Sequence, residues 1–176
     1  PYLIEYQNLK ALIPDLKLLV NYPNPNKSSF YKFNTELLEL LNITEHDFSF
    51  AASDVIYQEL YVSKTLTYKE PVDSRIFSIY DELVEKATKL SSGLVTPEKF
   101  YVSRRTWLGG DTSNIGTNYT TRRQLVNETE LVEYLDSLGY KEVFAENLST
   151  IEKILMFNKA KSIVGSVGGG LANCLF

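Results

Sequence analysis

Ile163-Val164-Gly165-Ser166-Val167-Gly168-Gly169-Gly170-Leu171-Ala172-Asn173-Cys174-Leu175-Phe176 is the stretch whose reading decides the fold. A β-branched apolar start, a bend without side chains and a renewed apolar run predict strand, tight loop and helix start. Three consecutive glycines let backbone N–H groups come close to a ligand, and a helix N-terminus there would favour a phosphate or sugar oxygen. Bare glycine-rich turns are more often sharp corners or close packing points. Their spacing, Gly-x-x-Gly-Gly-Gly, is neither the dinucleotide fingerprint nor a P-loop, which needs Lys followed by Ser or Thr.

Working back from that stretch, Ser149-x-x-Glu152 is a capping box opening a helix that carries Ile151, Ile154, Leu155 and Phe157. Residues 142–145 predict a strand. Asn127-x-x-Glu130 predicts a second capping box, followed by Leu131, Val132, Leu135 and Leu138 and closed by Gly139. Residues 100–103 predict the first strand of this half, ending at Arg104-Arg105. Strand, helix, strand, helix, strand implies parallel pairing with helices across the faces, an α/β fold. Ligands of such sheets gather beyond the carboxyl ends of the strands. The residues expected there are Ser103, Arg104, Arg105, Glu146 and the 165–170 bend. Two guanidinium groups, a carboxylate and free N–H donors on one rim suit a nucleotide diphosphate. The plainer alternative is a solvated strand end, with Arg105 pairing a carboxylate.

The first half is read more coarsely. Residues 3–12 predict a helix stopped by Pro14-Asp15, residues 16–20 a buried strand, and 22–29 a loop with two prolines, two asparagines and two serines. Residues 30–41 return to helical spacing, and 55–63 are rich enough in Val, Ile and Tyr to favour a strand. Asp73 is read as the cap of a helix carrying Ile76, Ile79, Tyr80, Leu83, Val84, Ala87 and Leu90. Ser91-Ser92-Gly93 with Pro97 is the candidate linker, dividing the chain into 1–92 and 93–176. The 176 residues suffice for two small cores.

Composition excludes several classes. A formal charge of −4 argues against a nucleic-acid binder, which would carry a basic face. No apolar run approaches the ~20 residues of a membrane span, and no signal peptide is visible. The single cysteine, Cys174, rules out an intrachain disulfide and is read as a small core residue. The single histidine, His46, sits in a polar turn and suits a surface or capping role better than catalysis; no metal ligands are assigned. Asn26, Asn42, Asn118, Asn127 and Asn147 stand in Asn-x-Ser/Thr sequons, a hint of a lumenal route.

Taken together, Tyr101-Val102-Ser103-Arg104-Arg105, then Arg122-Arg123-Gln124-Leu125-Val126-Asn127-Glu128-Thr129-Glu130-Leu131, then Glu146-Asn147-Leu148-Ser149, and finally the glycine segment resemble glycosyltransferase family 61. That family includes protein O-linked N-acetylglucosaminyltransferases, plant xylan-modifying transferases and capsular-polysaccharide enzymes. The order and spacing of these stretches cover about residues 100–176, and Tyr2-Leu3-Ile4-Glu5 matches more faintly. The resemblance implies a GT-B-like architecture of two Rossmann-type parallel-sheet halves, acceptor on the N-terminal side and donor on the C-terminal side. It further implies inverting transfer from a nucleotide sugar, commonly UDP-linked, to a glycan or glycoprotein acceptor, with no cofactor or metal required. Glu5 then falls at the family's acidic position as the base, the alternative being one exposed charge on a helix. Arg104, with Arg105 second, would stabilise the diphosphate. Ser103, Gly168, Gly169, Gly170, Leu171 and Asn173 would line the donor site and Glu146 would hold a hydroxyl. Asn173 and the pair Arg122 and Arg123 also suit structural bracing, and Trp107 suits either the core or a sugar face.

Two departures bear on activity. The family's glycine segment usually reads Gly-Pro-His-Gly-Ala-Gly-Leu, so Val167 stands where relatives carry an imidazole. Pro1 stands where an N-terminal His would fall. A catalytically inactive nucleotide-sugar or glycan-binding module is therefore the alternative function. A Rossmann oxidoreductase is a third, disfavoured by the missing Gly-x-Gly-x-x-Gly. The resemblance also implies a fragment whose C-terminal half is incomplete. A cytoplasmic setting is expected, with the ER or Golgi lumen as the alternative.

Overall fold

The computed structural model describes residues 2–21, 30–51, 54–63, 74–105, 108 and 125–176. The chain has a mixed α/β fold with two small parallel sheets, and it divides into compact units at Leu83/Val84. The division falls within a helix, ahead of the 92/93 linker position.

The N-terminal unit contains α1 (Tyr2–Leu12), β1 (Leu18–Val20), α2 (Lys32–Leu40), β2 (Phe48–Phe50) and the start of α3 (Arg75–Leu90). β1 and β2 pair in parallel, Leu18 opposite Phe48 and Val20 opposite Phe50. α2 ends because Asn42 takes a left-handed conformation at φ 58°, which lets the Ile43 N–H reach back to the Leu38 carbonyl at 2.9 Å. Ile43 and Leu41 are thereby buried beside the turn. Asp47 then ties this turn to α1. Its carboxylate accepts from the Thr44 N–H at 2.9 Å and the Tyr6 hydroxyl at 2.6 Å, with Lys10 at 3.3 Å. α3 buries Ile79, Leu83 and Ala87, one residue per turn along a single stripe.

The strand expected at 55–63 is not formed. Ile56 is 93% and Val62 82% exposed, and the segment pairs with no strand among the described residues. High β propensity expresses fit to a half-buried pleated surface, so without a neighbouring strand it has nothing to act on. Asp73, the loop at 22–29, Trp107, Arg122 and Arg123 lie outside the described residues.

The C-terminal unit follows the expected alternation: β3 (Lys99–Val102), α4 (Glu128–Ser137), β4 (Lys141–Val143), α5 (Thr150–Lys159) and β5 (Ser162–Gly165). The order is β4-β3-β5, all parallel, with Val102 opposite Val143 on one side and Gly165 on the other. β3 is buried on both faces, as a central parallel strand should be. Phe100 and Val102 face a core of Val143, Ala145, Met156 and Phe157, the rings of Phe100 and Phe157 meeting edge to face at 5.0 Å. Tyr101, 1% exposed, turns to the opposite face.

The helix ends show which capping signals act. Ser149 and Glu152 form their reciprocal pair, Ser149 N–H to the Glu152 carboxylate at 2.7 Å and Glu152 N–H to the Ser149 hydroxyl at 3.2 Å. The box expected at Asn127 and Glu130 is not formed: Asn127 occupies the cap position without a side-chain capping bond. Gly139 stops α4 at φ +84°, the Tyr140 N–H returning to the Leu135 carbonyl. No helix among the described residues is long and apolar enough to cross a membrane.

Candidate functional site

The strand order decides where a ligand site can form. β3 comes first and sits in the middle, β4 is added on one side and β5 on the other. The carboxyl ends of β3 and β5 therefore lie side by side where the strand order reverses, the place at which open α/β sheets bind ligands. Ser103-Arg104-Arg105 leaves β3 there, and residues 166–170 leave β5.

The two arginines have different fates. Arg104 sends a guanidinium N–H to the Val167 carbonyl at 3.3 Å, so it lies along the glycine bend. Arg105 turns to β4 and meets Glu142 with two parallel bonds, Nε to Oε1 at 2.9 Å and Nη2 to Oε2 at 2.6 Å, with Thr129 Oγ1 at 3.3 Å. Hydrogen bonding to Glu142 raises the Arg105 pKa further. Burial pushes the Glu142 carboxyl up, but the bonds from Arg105 and Ser103 outweigh it and leave it below the usual range. Arg105 thus braces β3 to β4, and Arg104 alone of the pair reaches the bend.

Close approach accounts for Gly165, Gly168 and Gly170 of the bend. None of Gly165, Gly168, Gly169 or Gly170 has a left-handed φ. A Cβ at Gly170 would stand 2.8 Å from Val102 Cγ1, and one at Gly165 3.1 Å from Leu171 Cδ2. A Cβ at Gly168 would meet the Arg104 guanidinium at 2.2 Å, whereas Gly169 faces open space. The carbonyls of Gly168, Gly169 and Gly170 accept from Leu171 N–H, Ala172 N–H and the Asn173 amide. Their N–H groups have no acceptor among the described residues. Three adjacent free donors beside a guanidinium make a site for an anionic oxygen.

The remaining expected residues are placed as follows. Residues 171–175 form a five-residue 3-10 turn, so the expected helix start gives way and no α-helix dipole is aimed at the bend. Leu171 packs against the sheet core, and Asn173 holds the Gly170 carbonyl at 2.9 Å. Cys174 is exposed, against the expectation of a core position, because the short turn leaves it on the outside. Glu146 is half-buried in the turn Ala145–Asn147 after β4, on the opposite side of β3 from the bend. Ser103 is buried, its hydroxyl accepting from the Arg105 N–H at 3.0 Å. Val167 is 89% exposed. In the N-terminal unit, Glu5 pairs with Arg75 at 3.2 Å. His46 lies exposed in the turn Glu45–Asp47, its carbonyl accepting from Lys17.

Glu128 and Glu142 were missed in the sequence. Both are isolated acids in otherwise ordinary helix and strand contexts, and the only signal was their place within or beside the family-like stretches. Glu128 is 2% exposed, and its Oε1 accepts from the Tyr101 hydroxyl and the Arg104 N–H, both at 2.7 Å. Burial, then the bond to Glu128, pushes the Tyr101 hydroxyl pKa well above its ordinary value.

The C-terminal unit is thus a parallel α/β sheet with Arg104 and the glycine bend at the carboxyl ends of adjacent strands. The family model described as glycosyltransferase 61 matches residues 5–176. The chain belongs to this family, and glycosyl transfer is the activity that membership implies. No curated protein and no solved structure gives a match.

Proposed function

We propose that the chain works as an inverting, metal-independent glycosyltransferase of the GT-B type, moving a sugar from a UDP-linked donor to a glycan or glycoprotein acceptor. The observation that carries this reading is the meeting of Arg104 with the Gly168–Gly170 bend at the switch point of the C-terminal sheet. In the reaction, the acceptor oxygen forms a bond to the anomeric carbon as the bond to the diphosphate oxygen breaks. Arg104 and the three free N–H groups would carry the charge that gathers on the departing diphosphate.

Glu5 would take the acceptor proton, with Arg75 fixing the direction of its carboxylate. Glu146 at the end of β4 would accept from a donor hydroxyl. The setting proposed is cytoplasmic; a lumenal one would glycosylate the exposed sequon residues Asn42, Asn127 and Asn147.

Release of UDP from a panel of UDP-sugars tests the reading. Turnover by the wild-type chain that falls at least about 100-fold in Glu5→Gln, with UDP binding kept, is the expected result. Full turnover in that variant removes Glu5 from the mechanism. The second reading, a module that binds the nucleotide sugar without chemistry, rests on exposed Val167 where relatives carry a histidine. UDP binding with no turnover of any donor would establish it.

A further inference from the structure

Glu128 is a buried acid that the reaction above does not use. It is the first residue of α4, yet it caps nothing: its carboxylate turns inward to the end of β3. Oε1 gathers the Tyr101 hydroxyl at 2.7 Å, the Arg104 N–H at 2.7 Å and, more weakly, the Ser103 hydroxyl at 3.4 Å. Oε2 is buried with no hydrogen-bond partner among the described residues. A carboxylate taken out of water with one oxygen unsatisfied costs stability, and an apolar side chain of similar size would fill the volume more cheaply. Packing therefore does not account for the acid.

What the carboxylate does is fix a backbone. Strand pairing holds Ser103, whose N–H still reaches the Val143 carbonyl at 2.9 Å. Beyond Ser103 the sheet no longer holds the chain, and the next backbone donor, Arg104 N–H, is taken by Glu128. Arg104 is the residue whose guanidinium then reaches the Val167 carbonyl beside Gly168. Its neighbour Arg105 is directed the other way, with its N–H on the Ser103 hydroxyl.

We propose that Glu128 is the positioning residue of the donor site: it clamps the Arg104 backbone where β3 leaves the sheet, aiming that guanidinium at the glycine bend. The proposal rests on the reading of Arg104 as the diphosphate ligand, but its structural half is measurable without any nucleotide. A Gln at 128 keeps an oxygen acceptor. An Ala removes it, and an Asp withdraws it by one carbon–carbon bond while keeping the charge.

Two readouts on the 176-residue chain test it. Residue-resolved amide hydrogen exchange should show the Arg104 N–H protected in the wild type and Glu128→Gln, and losing about tenfold or more of that protection in Glu128→Ala, with Phe100 unchanged. Glu128→Asp gives the same loss and serves if the alanine variant does not fold. UDP affinity should fall about tenfold in Glu128→Ala and stay within about twofold in Glu128→Gln, and adding Glu128→Ala to Arg104→Ala should cost nothing further. Unchanged Arg104 protection in the alanine or aspartate variant overturns the clamp, as do losses that multiply in the double variant. Protection that behaves as expected while the wild type binds no UDP overturns the donor-site role and the functional reading beneath it, leaving only the clamp.

Discussion

Gly168, Gly169 and Gly170 differ in what a side chain would meet, and substitution should separate them. Gly170→Ala drives a Cβ to 2.8 Å from Val102 Cγ1, a branched side chain fixed in the core. It should cost about 1–3 kcal/mol of stability, read by chemical denaturation. Gly169→Ala, facing open space, should stay within about 0.5 kcal/mol of the wild type. Gly168→Ala collides only with the mobile end of Arg104, so it should leave stability near wild type and weaken UDP binding instead. A stability loss at Gly169 equal to that at Gly170 would contradict this assignment. At this scale the sequence ranked Arg104 ahead of Arg105 only through the family resemblance and offered Arg105 a carboxylate partner without naming it. That partner is Glu142, 37 positions away on the neighbouring strand. Glu128 was hidden for the same reason, its donors lying 24 to 27 positions earlier in the chain.

Among the elements, the C-terminal strands and helices were legible because several local signals agreed. Apolar alternation, a complete capping box at Ser149 and a left-handed glycine at 139 all act over a few residues. Capping strength should follow what is formed. Ser149→Ala, which breaks a bond to Glu152 N–H, should lower stability by about 1 kcal/mol, and Asn127→Ala, which breaks no capping bond, by less than about 0.5 kcal/mol, both read as denaturation midpoints. Equal losses would mean that Asn127 caps in solution. The N-terminal elements were less legible. β2 is three residues long and defined by pairing with β1, so its pattern is too short to read. Residues 55–63 have the composition of a strand but pair with no strand among the described residues.

For the whole molecule, buried and hydrogen-bonded titratable groups set the pH range of stability. Glu142, Asp47 and Glu152 all have carboxyl groups held below their ordinary values. Asp47 owes this first to the Tyr6 hydroxyl, and Glu152 to its Ser149 partner. Because their folded pKa values are depressed, their stabilisation is complete above about pH 5 and is lost as the pH falls through the folded values. The hydroxyls of Tyr6 and Tyr101 are raised, chiefly by burial, so their contribution holds below about pH 10 and is lost above it. Unfolding midpoints should form a plateau between about pH 5 and pH 9 and decline on both sides. A maximum below about pH 4 would show that these groups are not paired as described. The fold class was readable at this scale because parallel βαβ units announce themselves through alternation. Donor identity was not, because no local pattern in the sequence specifies a sugar.

The central claim is that Arg104 and the side-chain-free bend together grip a diphosphate. Calorimetric titration of UDP into the wild-type chain and Arg104→Ala at fixed ionic strength tests it most directly. A lost charge-assisted contact of about 1.5–3 kcal/mol predicts a roughly 10- to 150-fold weaker dissociation constant in the variant. Equal affinity in the two proteins would contradict it.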